Sequence, residues 1–471
     1  MKKLITLVIG IIFICQSALG QDTWSPIVTD GFGSKLNNSV NEFAVFKDTL
    51  YACVAITGSG IAEIHRSGTG DAGDWNPVTY DSQTTNIKGI PSINTTTLGG
   101  GYMWIETGNA VEGTQVYRTQ NGRDWIPISK KGFGNSARWS PSPSMILFQG
   151  TGDSIPYLYA GAGSHGGAAK SQVWRAPYTD SDSTKWDLLV DFGTRDTNCT
   201  QITYFHTWNN KIYFGGNGDS LLYESSNGTT FVANTGVASD FLTSDQLIAC
   251  MVDFNGYLYA STNNQAIGGQ LWRTNDGNSW QNLTSVIDGY DGTRDEELHN
   301  MDTSNGYLWI TPYTRVANSN GSPIFRSTDS TGTSFIQSNT DGFGDSNNDG
   351  ENAVSIGFKG RQYFGGPNST DGGQIWRTDV LSGMKKATEL NCHSILSPNP
   401  FTDNAVISVS HECSGITNVD IYDMTGRLIK TITGLRDNKV IIARGTLPTG
   451  MYFYNLQTTD GTSKAGKLII K

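Results

Sequence analysis

The stretch Gly268 to Thr284, GGQLWRTNDGNSWQNLT, decides the architecture of the chain. Its segments QLWRT and WQNLT alternate apolar or aromatic residues with polar ones, which predicts two short β-strands. The Asn-Asp-Gly-Asn-Ser segment between them predicts a tight turn. Variants of this unit recur along most of the sequence, so we interpret it as part of an internal repeat.

The repeat has a period near fifty residues. A strand of the GYLYA type precedes each copy, and its second aromatic residue recurs at intervals of 46 to 55 residues. That length suits four strands with their turns, which is one propeller blade. We therefore predict an all-β fold with a seven-bladed β-propeller over residues 21–381, in which the recurring aromatics are Tyr51, Trp104, Tyr159, Tyr213, Tyr259, Trp309 and Tyr363.

The last blade lacks its outer strand. An apolar-aromatic-Arg motif follows each GYLYA strand, with the fourth copy ending in Glu224, and a strand that opens on an aromatic residue follows in turn. After Arg377 no such strand is present, but Trp24 to Val28, near the N-terminus, parallels Trp280 to Thr284. We predict that this N-terminal strand completes the last blade and closes the ring without a long exposed edge.

A DGFG-like segment separates neighbouring blades. Its glycines permit positive φ, and its aromatic residue is suited to packing between blades. We predict a structural role for these segments, and the tryptophans of the repeats are expected to be core residues rather than sugar-stacking platforms. The copies are Asp30 to Gly33, Lys131 to Gly134, Asp191 to Gly193, Asp288 to Tyr290 and Asp341 to Gly344.

The turn in the opening stretch resembles the Asp-box, S-x-D-x-G-x-x-W, of sialidase-like propellers. Gly277 and Trp280 fall in register, while Asn275 takes the Asp position and Arg273 takes the Ser position. The resemblance implies a propeller fold. It implies little about function, because the Asp-box lies away from the active site in such families.

Candidate catalytic residues are few. Tyr313, Arg315 and the acidic run Asp295 to Glu297 share one blade, and carboxylates near a tyrosine can act on glycosidic bonds. We expect the acidic run to be a solvated loop and assign no catalytic residue. The six histidines show no metal-binding spacing, and no G-x-S-x-G elbow is present.

One loop has the pattern of a calcium site. Asp345 to Gly350, DSNNDG, fits D-x-N-x-D-G, which makes Asp345, Asn347 and Asp349 candidate oxygen ligands. The glutamate expected at position twelve is replaced by Ile356. A calcium loop and an ordinary Asn/Asp-rich turn both remain open, and no other cofactor is predicted.

Residues 1–20 have the layout of a secretory signal peptide, with two lysines ahead of an apolar core. The core is too short to serve as a membrane anchor, and no later stretch is long enough to span a bilayer. The formal charge of the chain is -10, which argues against nucleic acid as a partner. Five cysteines follow the signal, so at least one lacks a partner within the chain; Cys392 and Cys413 are placed to pair, and the others are Cys53, Cys199 and Cys250.

After a predicted linker at 382–395, the pattern changes to short alternating strands. The segment contains SPNPF at Ser397, VDIYDMTGRL at Val419, LPTGMYFY at Leu447 and a final strand up to Lys471, which predicts a small Ig-like β-sandwich of about seven strands. Leu396 to Lys471 closely resembles the type A C-terminal sorting domain of the type IX secretion system. The resemblance implies Sec export, interaction with that secretion machinery, removal of the domain, and release or attachment at the cell surface.

The leading hypothesis is a secreted or cell-surface propeller that binds a glycan or a surface protein without catalysis. The alternative is a polysaccharide-active glycoside hydrolase or lyase with its site in the propeller funnel, and a third possibility is a scaffold for surface assembly. Functional residues are expected where the copies differ, in the loops after the GYLYA strands and between blades. The ligand, the disulfide pairing and the oligomeric state stay open.

Overall fold

The computed structural model describes residues 21–55, 62–78, 92–109, 111–139, 145–164, 169–195, 199–217, 221–242, 244–314, 320–329, 331–350, 353–378, 394–409, 416–422, 428–433, 439–445, 447–458 and 463–471. The chain divides into two compact units, Met1–Leu381 and Ser382–Lys471. The predicted signal peptide, residues 382–393 of the predicted linker, Cys392, Cys413 and Arg315 lie outside the described residues.

Over its described part, the first unit consists of seven four-stranded antiparallel units, numbered here sheets 1 to 7. Sheets 5 and 6 are joined by one pairing between Asn263 and Glu297. The strands of sheets 1 to 3 are β2 (Ser39–Phe46), β3 (Thr49–Ala55), β4 (Glu63–Ser67) and β5 (Asn76–Pro77); β6 (Ser92–Gly99), β7 (Tyr102–Gly108), β8 (Gln115–Thr119) and β9 (Ile126–Pro127); and β10 (Met145–Phe148), β11 (Tyr157–Ala162), β12 (Gln172–Pro177) and β13 (Asp187–Asp191).

Sheets 4 to 7 follow the same order. Their strands are β14 (Ile202–Trp208), β15 (Lys211–Gly216), β16 (Leu222–Ser225) and β17 (Val232–Ala233); β18 (Leu247–Phe254), β19 (Tyr257–Asn263), β20 (Leu271–Thr274) and β21 (Gln281–Asn282); β22 (Asp295–Ser304), β23 (Tyr307–Thr314), β24 (Phe325–Ser327) and β25 (Phe335–Gln337); and β26 (Val354–Phe358), β27 (Arg361–Gly366), β28 (Gln374–Thr378) and β1 (Trp24–Val28). The helical segments are α1 (Phe192–Arg195), α2 (Thr235–Asp240) and 3-10 turns at Lys131–Gly134, Thr284–Val286 and Asp341–Gly344.

The N-terminal strand β1 is the outer strand of sheet 7. It pairs antiparallel with β28, with Trp24 opposite Thr378 and Ser25 opposite Arg377. The predicted pairing of the two ends of this unit is therefore present. Asp22 adds to the junction, because its carboxylate accepts a hydrogen bond from Arg326 Nη2 of sheet 6 at 3.0 Å.

The first strands of the seven sheets, called the inner strands below, contact one another in a cycle. β2 contacts β6, and the contacts continue through β10, β14, β18, β22 and β26 before returning to β2. Side chains on these strands therefore lie near one another, although their sheets are far apart in the sequence.

The DGFG-like segments pack as a repeated aromatic cluster. Phe343, with φ 57°, stacks on Trp376 at a ring-centroid distance of 4.4 Å and meets Trp24 edge-on at 5.3 Å. The same pair of contacts recurs in sheets 1 and 3, and in sheet 5 it is made by Phe241, which follows α2; these aromatics therefore join each preceding segment to its sheet. The other clusters are Phe32 with His65 and Trp75, Phe133 with Trp174 and Trp186, and Phe241 with Trp272 and Trp280.

The Asp-box-like turns support a second repeated contact. The Tyr159 hydroxyl donates to the Gly228 carbonyl of the next sheet at 3.0 Å, and a Cβ added to Gly228 would collide with that hydroxyl. In the opening stretch, Asp276 Oδ1 accepts from the amides of Asn278 and Ser279, both at 2.7 Å. Asn275 takes the Asp position of the motif, but the side chain that accepts from the turn is that of Asp276, because these amides lie two and three residues after it.

The second unit contains seven strands in two sheets over its described residues. Their bounds are β29 (Ser394–Ser397), β30 (Asn404–Val409) and β33 (Lys439–Ala443) in one sheet, and β32 (Leu428–Thr433), β31 (Ile416–Tyr422), β34 (Gly450–Thr458) and β35 (Ser463–Ile470) in the other. Both sheets contribute to one core, with Ile407 and Ile442 from the first and Val419 and Leu468 from the second. This arrangement is the predicted small sandwich.

Candidate functional site

Most of the repeated polar residues are used within the first unit itself. Arg273, from the apolar-aromatic-Arg motif, lies over the Tyr257 ring at 4.3 Å and donates to the Thr331 carbonyl of the next sheet at 3.2 Å. Arg377 links sheet 7 to sheet 1 in the same way, donating to the Gly70 carbonyl at 3.2 Å. These arginines hold neighbouring sheets together, which leaves the unrepeated polar residues as candidates for function.

Unrepeated polar side chains gather on the inner strands. Glu42 on β2, Tyr204 on β14, Cys250 on β18 and Asp302 on β22 come from sheets 1, 4, 5 and 6, and their charges influence one another. Glu42, Tyr204 and Asp302 keep partial access to solvent. We call these four residues the inner cluster.

Glu42 carries the clearest electrostatic signal in the cluster. Burial raises its pKa to about 8, and the backbone amide of Phe43, which donates to Glu42 Oε1 at 3.1 Å, opposes this shift only in part. Cys53 lies opposite Glu42 on the neighbouring strand, and burial together with the Glu42 charge raises the pKa of its thiol. At neutral pH the Glu42 carboxyl is therefore mainly protonated.

Tyr204 and Cys250 form the centre of the cluster. The pKa of Tyr204 is held well above its usual range by Cys250, by burial and by the charges of Glu42 and Asp302. Cys250 is itself buried, which raises the pKa of its thiol to about 12, and its sulfur accepts from the Met301 amide at 3.4 Å. Both groups are consequently neutral at physiological pH.

Asp302 completes the cluster on β22. Burial raises its pKa, and Gln362 Nε2, which donates to Asp302 Oδ2 at 2.9 Å, partly offsets that effect. Burial therefore raises the pKa of both carboxyl groups of the cluster, and the carboxyl group of Glu42 is mainly protonated at neutral pH. Groups of this kind both donate and accept hydrogen bonds, which suits a ligand rich in hydroxyl groups.

The acidic run on β22 is not a solvated loop, so that prediction was wrong. Asp295 is fully buried and bonded to Arg294 and to Thr314 Oγ1, the latter at 2.7 Å. Glu297 Oε1 lies 2.7 Å from His299 Nδ1, and Glu297 is paired with Tyr313 across the sheet. The run does not alternate with apolar residues as a covered strand usually does. Its polar side chains can nevertheless lie on an inner strand, because they are bonded to residues of β22 and of the neighbouring strands.

The predicted calcium loop is a copy of a repeated backbone turn. Asn348 Nδ2 donates to the Gly342 carbonyl at 2.9 Å, just as Asn37 Nδ2 donates to the Gly31 carbonyl at 2.9 Å in the first copy. Asp345 Oδ1 accepts from the amide of Asn347 at 2.9 Å. The turn at Asn37 forms without the two carboxylates of the predicted calcium loop, so the fold of the turn does not require calcium. The calcium ligands Asp345, Asn347 and Asp349 remain a prediction.

Other candidate ligands are dispersed. Among the described residues, no group of three or more His, Cys, Asp or Glu side chains is placed to hold a metal ion. Cys53, Cys199 and Cys250 are buried, and none of these three described cysteines forms a disulfide. Over the same part of the chain, the helices are too short or too polar to cross a bilayer.

The sequence pattern pointed to the loops, whereas the inner cluster lies on strands. A signal for it exists in β2, SVNEFAVF, where Glu42 is the one charged residue in a strand of a sheet expected to be covered on both faces. Tyr204 and Cys250 gave no such signal, because both residue types are common in buried strands.

A family model described as a secretion system C-terminal sorting domain matches residues 396–471. This match confirms the predicted sorting domain, which implies interaction with the type IX secretion machinery. The chain is accordingly exported to the extracellular space or the cell surface. No curated protein matches the chain.

Solved structures resemble the chain at low identity. PorZ, a surface component of the type IX secretion system of Porphyromonas gingivalis, is 13% identical, with 95% of this chain and 61% of that chain covered and a TM-score of 0.44. The extracellular domain of the putative one-component system BT4673 from B. thetaiotaomicron is 12% identical, with 96% and 59% covered and a TM-score of 0.50. A polysaccharide lyase, the PL25 ulvan lyase, is 10% identical, with 76% and 96% covered and a TM-score of 0.45.

The chain spans about three fifths of the length of the first two of these structures. The likeness to BT4673 shows an all-β fold made of many small sheets. The comparisons therefore define an exported all-β protein with a type IX sorting domain.

Proposed function

We propose that the first unit is a closed seven-bladed β-propeller that binds a glycan in its central lumen without catalysis. The cycle of inner strands and the pairing of β1 with β28 support the closed ring. Seven blades of four strands are within the usual range for propellers.

The inner cluster is the observation that carries the binding function. Repeated residues are occupied in blade packing, while Glu42, Tyr204 and Asp302 differ from copy to copy and converge from separate blades. Loops and strands that converge on a propeller axis form a concave site with a few polar groups, which is the usual form of a ligand site.

The chemistry of the cluster favours a neutral, hydroxylated ligand. The protonated carboxyl group of Glu42 avoids the cost of burying a charge and can exchange hydrogen bonds with hydroxyl groups in both directions. A negatively charged polysaccharide fits less well, because the chain carries a formal charge of -10 and any ionised cluster residue adds repulsion.

A glycan microarray with the purified full chain tests this proposal, followed by calorimetry on the best glycan. Asp302→Ala removes the side chain's hydrogen-bonding group, and we expect the affinity to fall about tenfold. Asp187→Ala, at an exposed position on β13, is the matched control and leaves affinity unchanged. If no glycan binds, or if Asp302→Ala binds as well as the wild type, glycan binding in the lumen is excluded.

The pKa of Glu42 favours a second candidate, a polysaccharide-active glycoside hydrolase or lyase. A carboxyl group with a pKa of about 8 is protonated at neutral pH and can act as a general acid. Incubation with a panel of polysaccharides tests this role. Product release that Glu42→Gln abolishes while binding is retained would establish the enzyme, and intact polysaccharides would support the non-catalytic function.

A further inference from the structure

A cavity lies at the seam where the last sheet meets the first. Its volume is about 670 Å³, and its walls come from β1 and the following DGFG segment on one side and from β4 and the β4–β5 turn region on the other. Its main lining residues are Val28, Asp30, Phe32, Glu63, His65 and Trp75. We call it the seam cavity.

The residue at position 65 explains why space is available here. In sheets 3, 5 and 7 the equivalent residue is a tryptophan stacked on the phenylalanine of the preceding segment, as in Trp272 on Phe241 at 4.5 Å. In sheet 1 the smaller imidazole of His65 stacks on Phe32 at 4.0 Å. Replacing an indole by an imidazole removes ring volume beside the phenylalanine, and the cavity includes both His65 and Phe32 in its wall.

The charge of the seam cavity is negative. Glu63 accepts hydrogen bonds from His65 Nε2 at 2.8 Å and from Asn37 Nδ2 at 3.1 Å, both on Oε2, and 46% of its side chain is exposed. Burial lowers the pKa of His65, so the imidazole is neutral at neutral pH. Asp30 adds a second carboxylate, and the lining residues include no lysine or arginine.

We propose that the seam cavity binds a guanidinium group, such as the arginine side chain of a partner peptide. A guanidinium group donates paired hydrogen bonds to carboxylates and stacks on aromatic rings, and the cavity offers Asp30, Glu63, Phe32 and Trp75 together. The first unit uses the same chemistry internally, since Arg175 lies over the Tyr157 ring at 4.1 Å and pairs with Asp153 at 3.0 Å.

An ammonium group satisfies the charge but makes less use of the rings, because it is compact and strongly hydrated. A neutral sugar would use the rings and leave two carboxylates without a countercharge. The seam cavity is separate from the inner cluster, so this proposal does not depend on glycan binding in the lumen.

Calorimetry with the full chain and N-acetyl-arginine amide tests the proposal. We expect saturable binding below about 10 mM that weakens as salt is added. Glu63→Gln keeps the side-chain shape and should weaken binding about tenfold, while Asp187→Asn leaves it unchanged. His65→Trp introduces the residue of sheets 3, 5 and 7, and its larger ring should occupy the space beside Phe32 and abolish binding.

Three outcomes overturn the proposal. One is an absence of saturable binding by the wild type. Another is equal binding by the wild type and Glu63→Gln, which decides the matter even if His65→Trp fails to fold. The third is tighter binding of N-acetyl-lysine amide or of methyl glucoside than of the arginine probe, which would assign the cavity to ammonium groups or to sugars.

Discussion

The Tyr363 hydroxyl of sheet 7 lies directly against Gly70 in the turn of sheet 1. A Cβ built on Gly70 would collide with that hydroxyl and stand 2.7 Å from Tyr363 Cζ, and Gly70 has a φ of 76°. Arg377 reinforces the junction by donating to the Gly70 carbonyl at 3.2 Å. The last and first sheets are thus joined by the same contact that joins sheet 3 to sheet 4.

Gly70→Ala should destabilise the chain by about 3 kcal/mol, since the new methyl group meets an aromatic ring as well as an unfavourable φ. Gly73, in the same turn, has a φ of 82° but no atom within 4 Å of an added Cβ. Gly73→Ala is therefore the matched control, with an expected loss of about 1 kcal/mol. Urea unfolding of both variants measures the difference, and equal losses would contradict the contact.

Asp22→Ala should lower the free energy of unfolding by about 2 kcal/mol, because it leaves Arg326 without its partner at a site where both side chains are about nine-tenths buried. Asp48→Asn removes the charge of the exposed Lys359 pair at 3.4 Å between sheets 1 and 7, keeps a residue that tolerates the φ of 57°, and should change little. Thermal unfolding compares the two. An unaffected Asp22→Ala variant would show that the pair of Asp22 and Arg326 adds nothing to the stability of the chain.

Glu42 predicts a specific dependence of stability on pH. Its pKa is raised to about 8 in the folded chain, whereas in the unfolded chain the side chain ionises near pH 4.5. The contribution of protonated Glu42 to the free energy of unfolding is therefore fully present below pH 4.5 and is lost as the pH rises to 8. Glu42→Gln should therefore be more stable than the wild type by about 2 kcal/mol at pH 9, since partial solvent access reduces the full effect, and equal to it at pH 4. A constant difference across this range would show that Glu42 titrates normally.

The calcium loop makes a separate prediction. Calcium must displace the bonds that Asn347 and Asn368 make to Asp345, and the gain from binding appears as a higher melting temperature. If the site is real, EDTA lowers the melting temperature of the full chain and Asp345→Asn removes that response. If EDTA does not change the melting temperature, the loop is an ordinary Asn/Asp-rich turn.

Much of the fold was predictable because each strand and turn motif occurs in several copies, and each copy is an independent observation. Trp24 could be matched to Trp280 across most of the chain, and its pairing with sheet 7 followed from counting strands. Local geometry was harder. A shift of one residue separates Asn275 from Asp276, and only the positions of the turn amides distinguish them.

The candidate site was largely hidden from the sequence. Glu42 and Asp302 lie 260 residues apart, and their proximity to Tyr204 depends on the contacts between inner strands rather than on any local pattern. Asp295 was expected in solvent because acidic runs are usually exposed, but Arg294 and Thr314 compensate its burial. The contact with Thr314, which lies 19 residues further along the chain, has no signature in a single sequence.

The most direct test of the central claim is the affinity of the full chain for its glycan as a function of pH. A neutral ligand that fills the lumen removes water from Glu42 and raises its pKa further, so binding by the wild type should weaken as pH rises above about 8. In Glu42→Gln the affinity should be constant from pH 6 to about 9.5. A wild-type affinity that does not change over this range would contradict a glycan site at the inner cluster.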